Sequence, residues 1–225
     1  MSRLLVFREA MITGLQTWED KQARTPPEQM AVDEALLLLA KCPVVRFYRW
    51  ASPAVTFGYA QRYSDVPAGA GWGPSVRRWT GGGTVFHGED LTMSLAVPGT
   101  RHLDRFQAEG VYRWIHGALL NAMEAVLPGV VLARPGDCRP GPACFQSPAL
   151  NDILHCGKKI CGGAMRRGKN GFLYQGSIHG KFSTASLAQS LGGSSACFEP
   201  AGELLDTAAV LAGEKYGTRA WNQMR

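Results

Sequence analysis

The sequence lacks any stretch that could cross a membrane, and it lacks a dense block of positive charge. No window approaches the run of about 18 apolar residues that a transmembrane helix needs. The N-terminal apolar run Leu4–Phe7 is too short for a signal peptide. The lysines and arginines are scattered, which disfavours a nucleic-acid-binding role. These absences predict a cytoplasmic protein that acts on neither membranes nor nucleic acids.

Paired cysteines and clustered metal ligands are also missing. The six cysteines include no C-x-x-C pair, and in the cytoplasm such thiols stay reduced. His87, His155 and His179 do not stand at the spacing of metal ligands. A zinc site is therefore not expected.

The composition is that of a globular protein with enough apolar material for a core. Of the 225 residues, 45% are hydrophobic and 19% are charged, a length that suits one large domain. The net charge of +6 favours an acidic partner or phosphorylated ligands.

Hydrophobic periodicity predicts two substantial helices among many strands. One helix begins at Pro26, with Thr25 as its N-cap, and Asp33 and Glu34 on a solvated face. The other covers 104–127 and is apolar on one side. Strands that follow one another through short turns indicate an α+β fold with a mixed or mostly antiparallel sheet. We predict strands at 1–7, 44–50, 54–59, 76–79, 84–86, 91–97, 130–133, 151–154, 159–165 and 171–178, a short helix at 204–212, and exposed residues at the C-terminus.

Three consecutive glycines, Gly81, Gly82 and Gly83, follow two arginines and precede a histidine. A glycine-rich turn can present several N–H groups to an anion, and Arg77 and Arg78 could add bidentate hydrogen bonds to phosphate or carboxylate. A hairpin turn with solvated arginines fits the tripeptide equally well. His87, which closes the motif, is either part of a site or a hydrogen-bonded structural histidine. The motif matches neither a Walker loop nor a dinucleotide fingerprint.

Two further segments could carry chemistry. Cys144 lies on a loop rich in proline and glycine and would be a nucleophile if a cation lowered its pKa, although a lone cysteine is more often a small buried residue. Lys158 and Lys159 point to opposite faces of a strand, so one of them points inward and needs an anion. The nearby Gly162-Gly163-Ala164 lacks bulk, so a ligand can approach the backbone there. Asp152 could hold a metal ion or orient a lysine, or simply be a turn residue.

Six segments together resemble the lipoate–protein ligase and octanoyltransferase family, which is related to biotin–protein ligase. They follow the order of the family and extend over about 30–178. The resemblance implies a biotin-synthetase-like fold, similar to class II aminoacyl-tRNA synthetases, with a mixed, largely antiparallel sheet and a tunnel for a medium-length acyl chain. It implies a catalytic core over 1–182, a helical tail of the same domain over 183–225, and no full accessory domain. The segments are Met30–Leu36, Thr56–Gln61, Arg77–His87, Asn151–Ile153, Gly157–Ala164 and Gln175–Ile178.

The resemblance also implies roles for individual residues. Lys159 matches the essential lysine of the family, which contacts the acyl carbonyl or the α-phosphate. Asp152 matches an acidic residue near the phosphates in the ATP-using ligases, where Mg²⁺ assists. The residues implied in acyl or nucleotide binding are Gln61, Arg77, Arg78, Gly81, Gly82, Gly83, Val85, His87, Asn151, Asp152, Gly162, Gly163, Ala164, Gly176 and Ser177.

Two reactions and one binding role compete at this stage. The first is an ATP-dependent ligase that makes an acyl adenylate from lipoate or octanoate, which the triple glycine and Asn151–Ile153 favour. The second is an octanoyltransferase that needs no ATP, in which Cys144 takes the octanoyl group from an acyl-carrier protein. The third is a non-catalytic binder of acylated carriers, which the inward lysine disfavours. A biotin ligase is also possible but fits the motifs less well.

Both reactions imply the same acceptor. This is a lysine on a lipoyl-carrier domain, either the E2 component of a dehydrogenase complex or the H-type protein of glycine cleavage. A separate accessory chain is a further candidate partner for the ligase.

Overall fold

The computed structural model describes residues 13–66, 73–99, 107–138, 147–194 and 196–225. The strand predicted at 1–7 and the candidate nucleophile Cys144 lie outside the described residues. The described chain folds into two β-sheets with helices packed against them, which confirms the predicted α+β class. None of its described helices combines the length and apolarity needed to span a membrane.

The described strands and helices are numbered here in chain order. The strands are β1 (Gln16–Asp20), β2 (Val44–Tyr48), β3 (Ala54–Phe57), β4 (Ser75–Arg77), β5 (Val85–His87), β6 (Leu91–Pro98), β7 (Val130–Leu132), β8 (Ile153–His155), β9 (Lys158–Gly168) and β10 (Gly171–Ile178). The helices are α1 (Pro26–Leu39), α2 (Ala108–Glu124), α3 (Thr184–Ser190), α4 (Gly202–Leu211) and α5 (Arg219–Asn222), with a π-helical turn at Ala212–Tyr216.

The larger sheet has the order β1-β2-β6-β10-β9-β8-β7, and the smaller sheet has the order β4-β3-β5. In the larger sheet only β1 and β2 are parallel among the described pairs; the remaining neighbours are antiparallel. In the smaller sheet β3 pairs with β4 in parallel and with β5 antiparallel. The sheets are thus mixed and largely antiparallel, as the sequence predicts.

Helices cover both faces of the larger sheet. Leu95 of β6 packs with residues of α2 such as Ile115 on one face, whereas the adjacent Ala96 packs with residues of α1 such as Leu36 on the other. This alternation follows from the two-residue period of a strand. A sheet buried on both faces holds its strands firmly, which suits it to position side chains in a site.

Asp33 and Glu34 are buried, which corrects the prediction that they lie on a solvated face. Asp33 accepts hydrogen bonds from Arg46 Nη1 and Ser94 Oγ, both at 2.7 Å. Glu34 accepts a hydrogen bond from the hydroxyl of Tyr216 at 2.5 Å. Helix α1 lies between the large sheet and α4, so both its polar and its apolar positions are covered. Buried charges persist there because each meets a partner.

Three numbered elements, β1, α3 and the four-residue α5, are absent from the sequence-based prediction, and the first two show why. Strand β1 is polar and has no clear alternation, and it forms because its backbone pairs in parallel with β2, Gln16 beside Val44. Helix α3 is only seven residues long, and its Leu187 packs against the core around α2. Neither segment carries a strong local signal, since tertiary packing determines both.

Candidate functional site

A cleft lies between the larger sheet, the smaller sheet and α1. Its empty volume, counted out to its open mouth and including open solvent there, is about 470 Å³. Apolar and aromatic side chains alternate on its wall with a few polar groups. The lining residues are Met30, Tyr48, Trp50, Thr56, Arg78, Val85, His87, Thr92, Lys159, Gly162, Gly163, Ala164, Gln175, Gly176 and Ser177.

Lys159 is the inward member of the lysine pair, as the sequence predicts that one of the two must be. Its side chain is only 5% exposed and its Nζ lies 2.8 Å from Asp152 Oδ2, whereas Lys158 is exposed. The anion that the buried lysine requires is therefore Asp152. The register shift between Ile153 and Leu154 of β8 lies directly beside this pair, and such a bulge re-aims side chains at a site.

A buried histidine supports the turn that carries Asp152. His116 Nδ1 donates a hydrogen bond to the carbonyl oxygen of Asn151 at 2.6 Å, and Tyr174 Oη lies 2.7 Å from His116 Nε2. Asn151 has a positive φ of 68°, an uncommon backbone conformation for a residue other than glycine. Burial lowers the pKa of His116, so the neutral ring accepts the hydroxyl hydrogen of Tyr174. The sequence analysis did not single out His116.

Arg78 binds the glycine turn itself. Its guanidinium donates to the carbonyl oxygens of Gly81 at 2.7 Å and Gly83 at 2.8 Å, and to Thr56 Oγ1 at 2.9 Å. Gly82 has a positive φ of 82°, which explains a glycine at that position. Arg78 thus shapes the turn while it also lines the cleft.

Arg77 lies outside the cleft and anchors the C-terminal segment. Its guanidinium donates to five backbone carbonyls, among them those of Trp221 at 3.1 Å and Asn222 at 2.9 Å. Its own backbone N–H donates to Asn222 Oδ1 at 2.7 Å. Its position gives no support to the ligand-binding role predicted for it. Trp221 and Asn222 are partly buried, which corrects the prediction that the last residues are all exposed.

A chain of hydrogen bonds runs from a buried carboxylate to the wall of the cleft. His87 Nδ1 lies 2.9 Å from Asp90 Oδ2, and His87 Nε2 lies 2.8 Å from Thr56 Oγ1. Asp90 Oδ2 also accepts from Ser177 Oγ at 2.6 Å. Burial raises the pKa of Asp90, but hydrogen bonds from His87 and Ser177 outweigh it and hold that pKa well below its usual range. Trp50 stacks on the imidazole with ring centroids 4.3 Å apart.

The protonation states of Asp90 and His87 follow from the hydrogen bonds that each one makes. Asp90 is ionised and accepts, so Nδ1 of His87 carries the hydrogen. Burial lowers the pKa of His87 by more than the bond and charge of Asp90 raise it. The ring is therefore neutral, and Nε2 accepts the hydroxyl hydrogen of Thr56.

The structure brings some of the predicted site residues to the cleft and leaves others beside it. No group of three or more potential metal-ligating side chains occurs among the described residues, and Asp152 contacts Lys159 without lining the cleft. The predicted residues that line it are Arg78, Val85, His87, Lys159, Gly162, Gly163, Ala164, Gly176 and Ser177. The predicted residues that are described but do not line it are Gln61, Arg77, Gly81, Gly82, Gly83, Asn151 and Asp152.

Six lining residues were not predicted as site residues. Trp50 and Tyr48 belong to the predicted strand 44–50, whose pattern is that of a strand in the hydrophobic core. The spacing of the two residues does not distinguish the wall of a cleft from the interior of the core. Thr56 and Gln175 stand inside the segments that carry the family resemblance, which was the one available signal. The six are Met30, Tyr48, Trp50, Thr56, Thr92 and Gln175.

Residues 25–200 match the family model of the lipoyl protein ligase A/B catalytic domain. The chain belongs to that family. One curated relative, octanoyltransferase LipM of Macrococcus caseolyticus, is 34% identical over 170 residues, which cover 68% of this chain and 61% of the relative. The chain therefore spans about three fifths of the length of that relative.

Several solved structures have the same fold. Protein Ta0514 of Thermoplasma acidophilum with bound lipoic acid has a TM-score of 0.75 at 19% identity, covering 95% of this chain and 100% of that one. Lipoate-protein ligase A bound with ATP has a TM-score of 0.75 at 20% identity, covering 94% and 99%. A bi-partite lipoate protein ligase from Thermoplasma acidophilum, described with its E2 lipoyl domain, has a TM-score of 0.69 at 20% identity, covering 94% and 96%. At these identities the likeness establishes the fold alone.

Proposed function

We propose that this chain transfers an octanoyl or lipoyl group to a lysine on a lipoyl-carrier domain. The observation that carries the proposal is the largely apolar cleft with the buried ammonium of Lys159 on its wall. Each methylene of an eight-carbon chain buried there contributes about 0.8 kcal/mol. A cation beside the acyl carbonyl stabilises the negative charge that develops on its oxygen in the transition state.

The donor that the relatives favour is an octanoyl thioester on an acyl-carrier protein. The curated relative described above is an octanoyltransferase and shares a third of its aligned residues with this chain. A thioester is already activated, so this route needs no ATP. In this reading Cys144 attacks the thioester and holds the octanoyl group before the acceptor lysine takes it.

The second candidate is the ATP-dependent ligase, and a specific observation favours it as well. The ligase-like segment Asn151–Ile153 places Asp152 in an ion pair with Lys159, where an incoming phosphate would compete for the ammonium. In that case ATP is a substrate, and Mg²⁺ would arrive on its phosphates. Asp152 is the described side chain we propose as its protein ligand. Its Oδ2 already contacts Lys159 and the N–H of Ala149, so it could supply one ligand but not a complete cage.

The acceptor is proposed from the family and the charge of the chain. The net charge of +6 suits an acidic partner. We propose the E2 component of a dehydrogenase complex or an H-type protein as the acceptor. A separate accessory chain is a further proposed partner under the ligase reading. The cytoplasmic location stays a prediction.

A donor test decides between the two reactions. The protein is incubated with a lipoyl-carrier domain and either octanoyl-acyl-carrier protein alone or octanoate with ATP and Mg²⁺, and the acceptor mass is measured. Cys144→Ser abolishes transfer from the thioester if Cys144 is the nucleophile, and it leaves ATP-dependent transfer intact in a ligase. Cys156→Ser, at an exposed free thiol, is the matched control. Absence of acceptor modification from either donor contradicts the proposed function.

A further inference from the structure

Thr56, His87 and Asp90 form a continuous hydrogen-bonded chain that ends at the cleft. Thr56 and His87 both line the cleft, and Asp90 lies behind them, only 3% exposed. The two hydrogen bonds that join the three residues are 2.8 and 2.9 Å long. In nucleophilic enzymes a hydroxyl, an imidazole and a carboxylate in this order move a proton away from the reacting centre.

The reaction proposed above needs such a proton acceptor. An amine that attacks an acyl carbon becomes positively charged and must lose a proton before the product amide can form. Lys159 cannot take that proton while its ammonium is paired with Asp152. Neutral His87 can, because its Nε2 is an acceptor and Asp90 would stabilise the resulting imidazolium.

We propose that Thr56, His87 and Asp90 form a proton relay that deprotonates the acceptor lysine during acyl transfer. This inference rests on the proposed function and holds for either donor. The amine nitrogen forms a C–N bond with the acyl carbon and passes a proton to Thr56 Oγ1, while Thr56 passes its own proton to His87 Nε2. The bond from the acyl carbon to its leaving group breaks. His87 then returns the proton to the leaving thiolate or phosphate oxygen.

The lone pairs of Thr56 fit this role. Its hydroxyl hydrogen points to His87, and one lone pair accepts from Arg78 Nη1 at 2.9 Å. A hydroxyl oxygen has two acceptor lone pairs, so one remains for a proton donor in the cleft. The Arg78 cation also lowers the pKa of His87. The imidazole is therefore neutral before the reaction and can accept a proton.

The hydrogen bonds to Asp90 suit it to stabilise a short-lived imidazolium on His87. Three side chains donate to its Oδ2, namely His87, Ser177 at 2.6 Å and Thr92 at 3.2 Å, and Gly88 N–H donates to Oδ1 at 3.0 Å. Among these four donors only His87 can become charged. The buried, ionised carboxylate of Asp90 therefore stabilises a positive charge on the imidazole of His87.

The test separates loading of the acyl group from its transfer. Wild type and variants are loaded from whichever donor the donor test identifies, the acceptor domain is added, and both rates are read by quenched intact-mass measurement. Thr56→Val and His87→Gln both change the cleft wall and should slow loading as well, but transfer should slow by a further ~10²–10⁴-fold relative to loading, the usual contribution of a general base. Thr56→Ser keeps the hydroxyl and restores transfer.

Ser94→Ala is the control for loss of a buried hydroxyl. Ser94 Oγ donates to Asp33 at 2.7 Å, outside the relay and the cleft lining. We expect Ser94→Ala to alter loading and transfer by the same factor. If Thr56→Val does likewise, its hydroxyl is merely structural and the relay is wrong.

A pH profile tests the relay even if a variant fails to fold. The charged and titratable groups around His87 are Asp90, Arg78 and His179, and Lys159 lines the same cleft. In wild type the transfer rate should fall below about pH 6.5 more steeply than protonation of the acceptor amine alone accounts for, because the imidazole becomes charged as well. A fall no steeper than that of the acceptor amine alone overturns the relay. If wild type transfers no acyl group from either donor, the proposed function fails and the relay fails with it.

Discussion

The backbone of Gly162 lies directly against the side chain of Lys159. A methyl group at Gly162 would overlap Cε and Nζ of Lys159 and would lie 2.7 Å from Asp152 Oδ1. The absence of a side chain at position 162 is therefore what allows the ammonium to reach its carboxylate. Gly162 is also buried and lines the cleft.

We therefore expect Gly162→Ala to displace Lys159 and to reduce acyl transfer by ~10²-fold, since a shift of about 1 Å in a catalytic group can have that effect. Crowding should also lower the free energy of unfolding by about 1–3 kcal/mol. Acceptor modification and urea denaturation measure the two effects. Gly168→Ala in the same strand, where an added methyl meets nothing within 4 Å, is the matched control. Equal activity in both variants contradicts the prediction.

Removal of the Lys159 ammonium should abolish acyl transfer. Lys159→Ala loses the cation proposed to bind the acyl carbonyl, and acceptor modification should fall by ~10²-fold or more, as for loss of an oxyanion donor. Lys158→Ala removes the exposed neighbouring lysine and serves as control.

Because Lys159→Ala also leaves Asp152 buried without its cation, circular dichroism must first establish that the variant is folded. Lys159→Gln, which keeps a polar group beside Asp152, is the substitute if it is not. A folded variant at position 159 with wild-type activity would remove this lysine from the mechanism.

The C-terminal segment should contribute measurably to stability through Asn222. Its side chain accepts from the N–H of Arg77 at 2.7 Å and donates to the carbonyls of Tyr216 at 2.8 Å and Thr218 at 2.9 Å. Asn222→Ala leaves these groups without that partner and should lower the free energy of unfolding by about 1–3 kcal/mol. Chemical denaturation measures the change. The exposed Gln223 is the control position, and an equally small effect at both positions would show that the contact contributes little.

Stability should decrease as the solution becomes acidic. Burial lowers the pKa of both His87 and His116. Below about pH 6.5 each histidine binds a proton in the unfolded chain before it does so in the folded one. The contribution of the two neutral histidines to the free energy of unfolding is thus complete above that pH and is lost as the pH falls.

The unfolding free energy in urea should therefore drop between about pH 7 and 5, by up to ~1.4 kcal/mol per pH unit for each histidine. His116→Gln should reduce that slope, with His155→Gln at a partly exposed histidine as control. An unchanged slope in His116→Gln would mean that His116 titrates alike in both states.

Many of the strands could be predicted from the sequence because the spacing of apolar residues within each segment indicates a strand. Strand β6 alternates apolar and polar residues, β10 contains the aromatic and aliphatic run Phe172–Tyr174, and helix α2 has its apolar face at the predicted positions. Strand β1 could not be found this way, since its pairing partner β2 lies more than 20 residues further along the chain. Long-range pairing leaves no trace in a short polar segment.

The candidate site shows the same division. That one of two adjacent lysines points inward follows from strand geometry alone, and the family resemblance indicated which one. Which anion it meets does not follow, because Asp152 reaches Lys159 only through the turn held by His116 and Asn151. Arg77 and Arg78 are neighbours in the sequence, yet one binds the C-terminal segment and the other the glycine turn.

By itself the sequence determined the family, the α+β class and the identity of the inward-pointing lysine, because motifs and periodicity are local properties of the chain. Only the tertiary structure decided that Asp33 and Glu34 are buried, that Arg77 binds the C-terminal segment, and that Thr56, His87 and Asp90 are connected. These three residues come from β3, β5 and the turn before β6. Their contact depends on the antiparallel pairing of β3 with β5 in the smaller sheet. That pairing joins Thr56 to a residue 31 positions further along the chain, which no local pattern predicts.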